Sequence, residues 1–375
     1  MHPDSRFDVI VVGAGPAGGS AAYHLAKAGQ RVLILEKAAL PRTKPCGGGV
    51  SPEVGRWFDF SFEPVISLKV TRVRYTFRGG DAVEAPMETQ EPLWMVRRDA
   101  FDQFLVQKAV EQGATLKDRC GATGLRFEAG RWIVETEQGP LEARYLIAAD
   151  GAKGPMAKWL GFTKRKFHLA GGLEAESSAA PAQPQVAHLD FGALKNGYAW
   201  NFPKADGQSM GIGAMRGRQD ADLKKLLADY TGGFGVELSS CSQEGHPIFM
   251  WDGDQDLHTQ NAVLAGEAAC VVDPFTAEGI RPAMFSGVEA AKAVDLALRG
   301  ADRPLEGYSR TMAQQWGSDM IWAKRLAQLF YAAPALAYKA VIHHPTAPQR
   351  MAQVLCGELR YRDAANKAIQ RLIGA

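Results

Sequence analysis

The first strongly patterned stretch is the nearly unbroken apolar run Phe7–Val12, rich in β-branched residues. Such a run predicts a strand buried on both faces in a parallel sheet. A glycine-rich turn follows at 13–18, and Ser20–Ala28 predicts a helix stopped by Gly29. Arg31–Leu35 predicts a second strand, ending in Glu36. The pattern returns far downstream. Arg144–Ala149 predicts a strand entering an Asp150-Gly151 turn, and Asn261–Ala265 predicts another, running into Gly266-Glu267. A helix is expected over Arg281–Arg299. Tyr198, Trp200 and Phe202 alternate, so a strand there presents all three rings on one face.

The glycine turn carries specific physics. Gly13 permits a tight turn, Gly15 lets the backbone approach a pyrophosphate, and Gly18 lets the helix pack close to the strand. The helix start offers free N–H groups and the positive end of a dipole to phosphates. Glu36 lies 18 residues after Gly18, where an acid accepts hydrogen bonds from an adenosine ribose. Strand, turn, helix and terminal acid together predict a dinucleotide site. Gly211–Gly217 is also glycine-rich, but its spacing is wrong and it reads as a strand and its turn.

The chain has 375 residues, which suggests more than one structural unit. A net charge of +2 gives no argument for nucleic acid. The five cysteines are scattered and form no C-x-x-C pair, so a reducing compartment is expected rather than a disulfide framework or zinc site. No run approaches the length of a spanning helix, so the expected location is cytoplasmic, with membrane association at most peripheral. His343-His344 lacks further ligands at metal spacing, and no metal is expected. His168, His188, His246 and His258 are isolated and are expected to be structural.

The strand ending at Asp150, the Gly266-Glu267 pair, the segment Pro274–Ile280 and the R-x-x-F-D start at Arg98 resemble the flavoprotein hydroxylase and reductase superfamily. That resemblance implies FAD. It implies cofactor contacts from Gly13, Gly15, Pro16, Ala17, Gly18, Glu36, Lys37, Arg98, Ala122, Asp150, Glu267, Gly279 and Ile280. Read from the residues alone, a solvated charge at a helix start is the alternative for Arg98, and Ala122 is equally a plain strand position. The commoner form of the second pair is Gly-Asp, so Glu267 is a departure.

Two further segments, Thr43–Val50 (TKPCGGGV) and Gly197–Lys204 (GYAWNFPK), resemble the geranylgeranyl reductase family. That resemblance implies that Cys46, Gly47 and Gly49 lie beside the flavin ring and that Tyr198, Trp200 and Phe202 line a lipid cavity. It also implies saturation of a prenyl lipid chain, with NAD(P)H or another electron carrier as reductant. Cys46 is the expected catalytic residue, as proton donor; a buried structural cysteine is the other reading. A flavin monooxygenase and a non-catalytic flavin or lipid carrier stay open as alternatives.

The expected architecture is α/β. A discontinuous Rossmann-like FAD-binding domain takes 1–65, 95–165 and 260–300. An antiparallel-sheet substrate domain takes 66–94 and 166–259, and a helical tail takes 301–375, broken at Pro334 and around His343–Pro348. Trp316, Trp322, Phe330, Tyr331 and Tyr338 stand in that tail among Lys324, Arg325 and Lys339. This composition suits either a membrane surface or a cap packed on the substrate domain. The oligomeric state is not legible.

Overall fold

A computed structural model describes residues 6–215 and 222–366. Arg216 and Gly217 of the second glycine-rich stretch, and the outermost residues of the expected N- and C-terminal units, fall outside them.

The apolar runs pair as their patterning requires. Arg6–Val12 lies between Leu141–Ala148 and Val32–Leu35, with all pairings parallel. Ala262–Leu264 extends the sheet on one side and Thr115–Lys117 on the other, again in parallel. Val9, Ile10, Val11, Leu33, Ile34, Leu146 and Ile147 are fully buried, as strands covered on both faces must be. An antiparallel hairpin, Ala122–Glu128 with Arg131–Thr136, is added through Leu141–Ala148.

The first helix runs Pro16–Lys27, so it starts four residues before the predicted Ser20. Its opening residues, Pro-Ala-Gly-Gly, are weak helix formers. Proline is tolerated at the first position, however, and the glycines admit close neighbours. A Cβ on Gly18 would lie 1.9 Å from the Gly13 carbonyl oxygen, and one on Gly287 would lie 2.2 Å from that of Ala17. The helix therefore crosses the downstream helix Ile280–Leu298 almost backbone to backbone, which holds both helix starts at the same end of the sheet.

A seven-stranded sheet forms the second layer, in the order Ser242–Trp251, Phe167–Ser177, Gly207–Ala214, Gly197–Lys204, Val186–Phe191, Arg72–Phe77, Gly80–Pro86. All its pairings are antiparallel except that of Val186–Phe191 with Arg72–Phe77. Gly207–Ala214 sits in its interior, so the second glycine-rich stretch begins as an antiparallel strand. A small sheet of Gly49–Val50, Leu93–Val96 and Ile66–Val70 joins the two layers beside the Cys46 loop.

Helix Pro304–Thr311 and the start of Ser318–Ala332 pack on the core of the parallel-sheet layer, while the end of Ser318–Ala332, the turns after it and Ala347–Leu355 cover the seven-stranded sheet. Trp316, Phe330, Tyr331 and Tyr338 are buried, and Trp322 is half-buried with Arg325 over its ring. The tail aromatics are thus packed inward, as a cap. Among the described residues no helix is long and apolar enough to cross a membrane.

Candidate active site

A continuous cavity of about 770 Å³ runs from the glycine turn, past the Cys46 loop, to a chamber between the seven-stranded sheet and the tail helices. Gly13, Gly15, Pro16, Ala17, Glu36, Lys37, Cys46, Gly47, Gly49, Arg98, Ala122, Asp150, Glu267, Gly279 and Ile280 all line it. So do Tyr198, Trp200 and Phe202. Gly18 lies beneath the turn instead, where it serves helix–strand packing.

At the turn, Gly13 adopts φ +107°, and a Cβ there would meet the Ala149 carbonyl oxygen at 2.3 Å. Only glycine fits without moving the neighbouring strand. No side chain caps the helix starts at Gly15 or Gly279, so both leave amides open to a ligand. Glu36 does more than stand ready for a ribose. Its carboxylate accepts the Ala14 N–H and the Ala38 N–H, each at 3.0 Å, and stitches the turn to the end of the second strand.

Arg98 opens the helix Arg98–Glu111 and is buried, so it is not a solvated charge. It meets Asp102 through two bonds, of 2.8 and 2.7 Å; Asp102 meets Arg42 at 3.0 Å, and Arg42 meets Glu36 at 3.2 Å. Burial opposes the Arg98 charge, but Asp102 outweighs it and holds the guanidinium pKa above its ordinary value. The guanidinium also faces Cys46. Asp150 has one oxygen bonded to the Met156 N–H at 2.9 Å; the other is buried with no protein partner. Burial lifts this carboxyl to about 6.

Glu267 is gripped by Lys44 at 3.3 Å and His246 at 3.2 Å. Burial alone would raise its pKa, yet these partners bring it to about 2. His246, expected to be an isolated structural residue, therefore belongs to the cavity wall. The folding of Ser242–Trp251 against Phe167–Ser177 brings it there, a placement that spacing along the chain does not reveal. His343, by contrast, faces Asp81 at 2.9 Å on the outside of the cap.

The Cys46 loop is wedged under the aromatic wall. A Cβ on Gly47 would lie 2.8 Å from the Phe202 ring and 3.0 Å from the Trp200 Nε1. Trp200 in turn lies over Gly211, whose Cβ would be 2.0 Å from the indole. Tyr198 donates its hydroxyl to the Thr276 carbonyl, tying the wall to the loop before the Ile280 helix. Cys46 Sγ accepts the Gly48 N–H at 3.4 Å, and the Cys46 N–H donates to Glu174 Oε1 at 2.9 Å.

Three wall residues, and Lys204 behind the wall, escaped the sequence reading. Lys204 is buried, with its ammonium donating to the Gly47 carbonyl at 2.6 Å. Glu174 is buried behind the Cys46 loop. Tyr75 points an unpartnered hydroxyl into the chamber region, and Glu278 is a buried acid beside Arg281. An acid or lysine inside an otherwise apolar strand was the available signal, as in LAGGLEAES and YAWNFPK. The far chamber is lined by Val73, Ala187, Leu189, Phe191, Met215, Phe330 and Ile342.

This cavity fits FAD. Gly13 and Gly18 of the cradle admit no Cβ, two uncapped helix starts converge on it, and Asp150 holds an orphaned oxygen inside it. The residues that would hold the cofactor are the turn at 13–17, Glu36, Arg98, Asp150 and the Gly279–Ile280 start.

Residues 6–192 match the family described as the FAD binding domain. A geranylgeranyl diphosphate reductase from Rhodobacter capsulatus is 32% identical over 306 residues, spanning 77% of this chain and 75% of that protein. A digeranylgeranylglycerophospholipid reductase from Methanopyrus kandleri is 29% identical over 378 residues, spanning 93% and 96%. In structure, a geranylgeranyl bacteriochlorophyll reductase-like protein from Thermoplasma acidophilum superposes with a TM-score of 0.80 at 21% identity, covering 98% of this chain and 96% of that one. At that identity the superposition speaks for the fold alone.

Proposed function

The chain belongs to the geranylgeranyl reductase family of FAD-dependent oxidoreductases, and from that premise we propose that it saturates carbon–carbon double bonds in a prenyl chain of the geranylgeranyl class. The observation that carries the reading is the continuity of the cavity: a dinucleotide cradle opens directly into a chamber lined by Val73, Ala187, Leu189, Phe191, Met215, Phe330 and Ile342, an apolar surface that suits a hydrocarbon. FAD bound in the cradle supplies a hydride when reduced; NAD(P)H or a small electron carrier is the proposed source of its electrons.

The protein's own work follows from the wall. An isolated trisubstituted alkene accepts hydride poorly until a proton begins to add, which leaves positive charge on the tertiary carbon. The faces of Trp200, Phe202 and Tyr198 favour such charge through their ring quadrupoles. Phe191, Phe330 and Met215 keep water out, so the developing cation is not trapped as an alcohol. Cys46 and Glu174 line the same cavity and meet through the Cys46 N–H. Exposed Leu329, Leu336 and Val341 lie on the cap, and Val341 also lines the cavity, which supports entry of the lipid at that end from a membrane surface.

The test is anaerobic. Protein carrying reduced FAD is mixed with a geranylgeranyl lipid, and flavin reoxidation is followed alongside product mass. A gain of two hydrogens per turnover is expected. Substrate-driven oxygen uptake with oxygen insertion would establish a monooxygenase instead, and tight lipid binding without flavin reoxidation would establish a carrier.

A further inference from the structure

Resting on the saturation reading above, we propose that Glu174 is the acid that protonates the prenyl double bond and that Glu176 reloads it from solvent. Glu174 is 6% exposed and stands where the cradle meets the chamber. It pairs across the sheet with Gly211, the residue on which the Trp200 indole lies. Its carboxyl is therefore carried to the same wall as the ring expected to face the reacting carbons.

The acids of this cavity divide sharply by partner. Glu36 and Glu267 each meet a cation within ion-pair distance. Among the described residues Glu174 meets none; the Cys46 N–H donates to it at 2.9 Å, and its other close polar neighbour is a second acid, Glu176. A buried carboxyl without a counter-ion keeps its proton. Burial, then repulsion from Glu176, lifts Glu174 to about 8, against the opposing pull of the Cys46 N–H and the more distant Lys204. The groups that face it are Glu176 on its own strand, Lys204 on Gly197–Lys204, Cys46 on the loop, and Glu244, its register partner on Ser242–Trp251. The acid is thus charged with a proton at neutral pH, on the same wall as the Trp200 ring.

A donor also has to be refilled without wetting the chamber. Glu176 lies two residues along the same strand, within hydrogen-bonding reach of Glu174. Its side chain is 29% exposed. It is held by Arg97, which is held in turn by Asp206 at 2.9 Å, on the outer side of the sheet end. Water reaches Glu176 on that side, while the lipid occupies the other.

The step balances. The O–H bond of Glu174 breaks, and the alkene π pair forms a C–H bond at the less substituted carbon. The tertiary carbon takes the hydride that reduced FAD supplies, and the flavin is left oxidised. The Glu174 carboxylate regains a proton from water through Glu176. Cys46 then serves as a positioning residue, because its backbone N–H orients the carboxyl and its thiol is not consumed.

The experiment pairs two readouts on the oxidised holoenzyme and its E174Q variant. Infrared titration is expected to show a protonated-carboxyl band that fades as pH rises through about 8 and is missing in E174Q. Turnover is expected to fall roughly 10²- to 10⁴-fold in E174Q, with FAD affinity and lipid KM unchanged within about threefold, and to recover in part in E174D. The C46S variant keeps the backbone N–H, so the Glu174 band is expected to persist in it. E174Q turnover within about threefold of the parent overturns the proposal, and so does a band fading near pH 8 that is the same in E174Q as in the parent, since Glu278 and Asp150 titrate lower, at about 7 and about 6. A parent protein that saturates no prenyl chain overturns the reaction as well; the infrared titration then still reports whether Glu174 holds its proton, which separates the two failures.

Discussion

The Lys204 ammonium reaches across from the aromatic strand and donates to the Gly47 carbonyl at 2.6 Å, so one buried cation fastens the Cys46 loop to the substrate wall. Burial lowers this lysine to about 8, although Glu176, Cys46 and Glu174 favour its charge. K204M keeps the stem and removes the donor. It is expected to weaken FAD binding about tenfold or more and to cost on the order of 1–3 kcal/mol of stability, because the Gly47 carbonyl loses its partner. Flavin fluorescence titration and thermal unfolding check both; unchanged affinity would show that the loop holds itself in place.

Gly48 adopts φ +72°, and a Cβ there would stand 2.2 Å from the Val96 carbonyl oxygen and 2.5 Å from the Lys204 ammonium. G48A must displace backbone at one contact and the lysine at the other. The expected result is loss of more than about 2 kcal/mol in the apoprotein, measured by urea unfolding, together with a purified protein that is pale or colourless. G79A is the control: that glycine also has positive φ, but nothing lies within 4 Å of its Cβ, so only the local strain is felt.

The far chamber sets how much hydrocarbon fits. Ala187 is buried on its wall, so A187F fills space that an extended chain would use. KM for a geranylgeranyl substrate is expected to rise at least about tenfold, one to two buried methylenes' worth of contact, while a shorter geranyl analogue is spared. Equal effects on both chain lengths would place the chain elsewhere.

Tyr75 buries a hydroxyl that no protein group bonds. Y75F removes an unsatisfied donor from an apolar site, so stability is expected to stay level or rise by up to about 1 kcal/mol. A fall in melting temperature of more than about 3 °C would reveal that the hydroxyl has a partner in solution.

Stability should also depend on pH in a defined sense. Glu174 at about 8, Glu278 at about 7 and Asp150 at about 6 are all raised in the folded state, each chiefly by burial. A raised carboxyl adds stability that is complete below its unfolded pKa and is lost as pH rises through the folded value. The apoprotein is expected to weaken between about pH 5 and 8, and E174Q to flatten the upper part of that slope. Glu267 works in the opposite sense: its contribution is present above its unfolded pKa and disappears as pH falls towards 2.

Much of the cofactor cradle was legible because it is local. A strand, a glycine turn, a helix and an acid at the next strand's end lie within 36 residues, and Gly13 and Gly18 each answer a contact made within that unit or with the adjoining strand. The period-two alternation of Tyr198, Trp200 and Phe202 likewise places three rings on one face before any partner is known, and the tail's breaks at Pro334 and after Ile342 follow from proline and loop composition. The helix start at Pro16 was missed because weak local propensity was overridden by close packing on the helix Ile280–Leu298.

The sequence by itself determined which segments could be strands, where a dinucleotide could lie and which rings could form a wall, since backbone period and glycine sterics act over a few residues. Tertiary structure alone decided which polar groups share that wall. Glu174, Lys204 and His246 come from three different strands, and the pairing of the seven-stranded sheet brings them to it. Burial and pairing are properties of the folded interior, and no spacing along the chain encodes them.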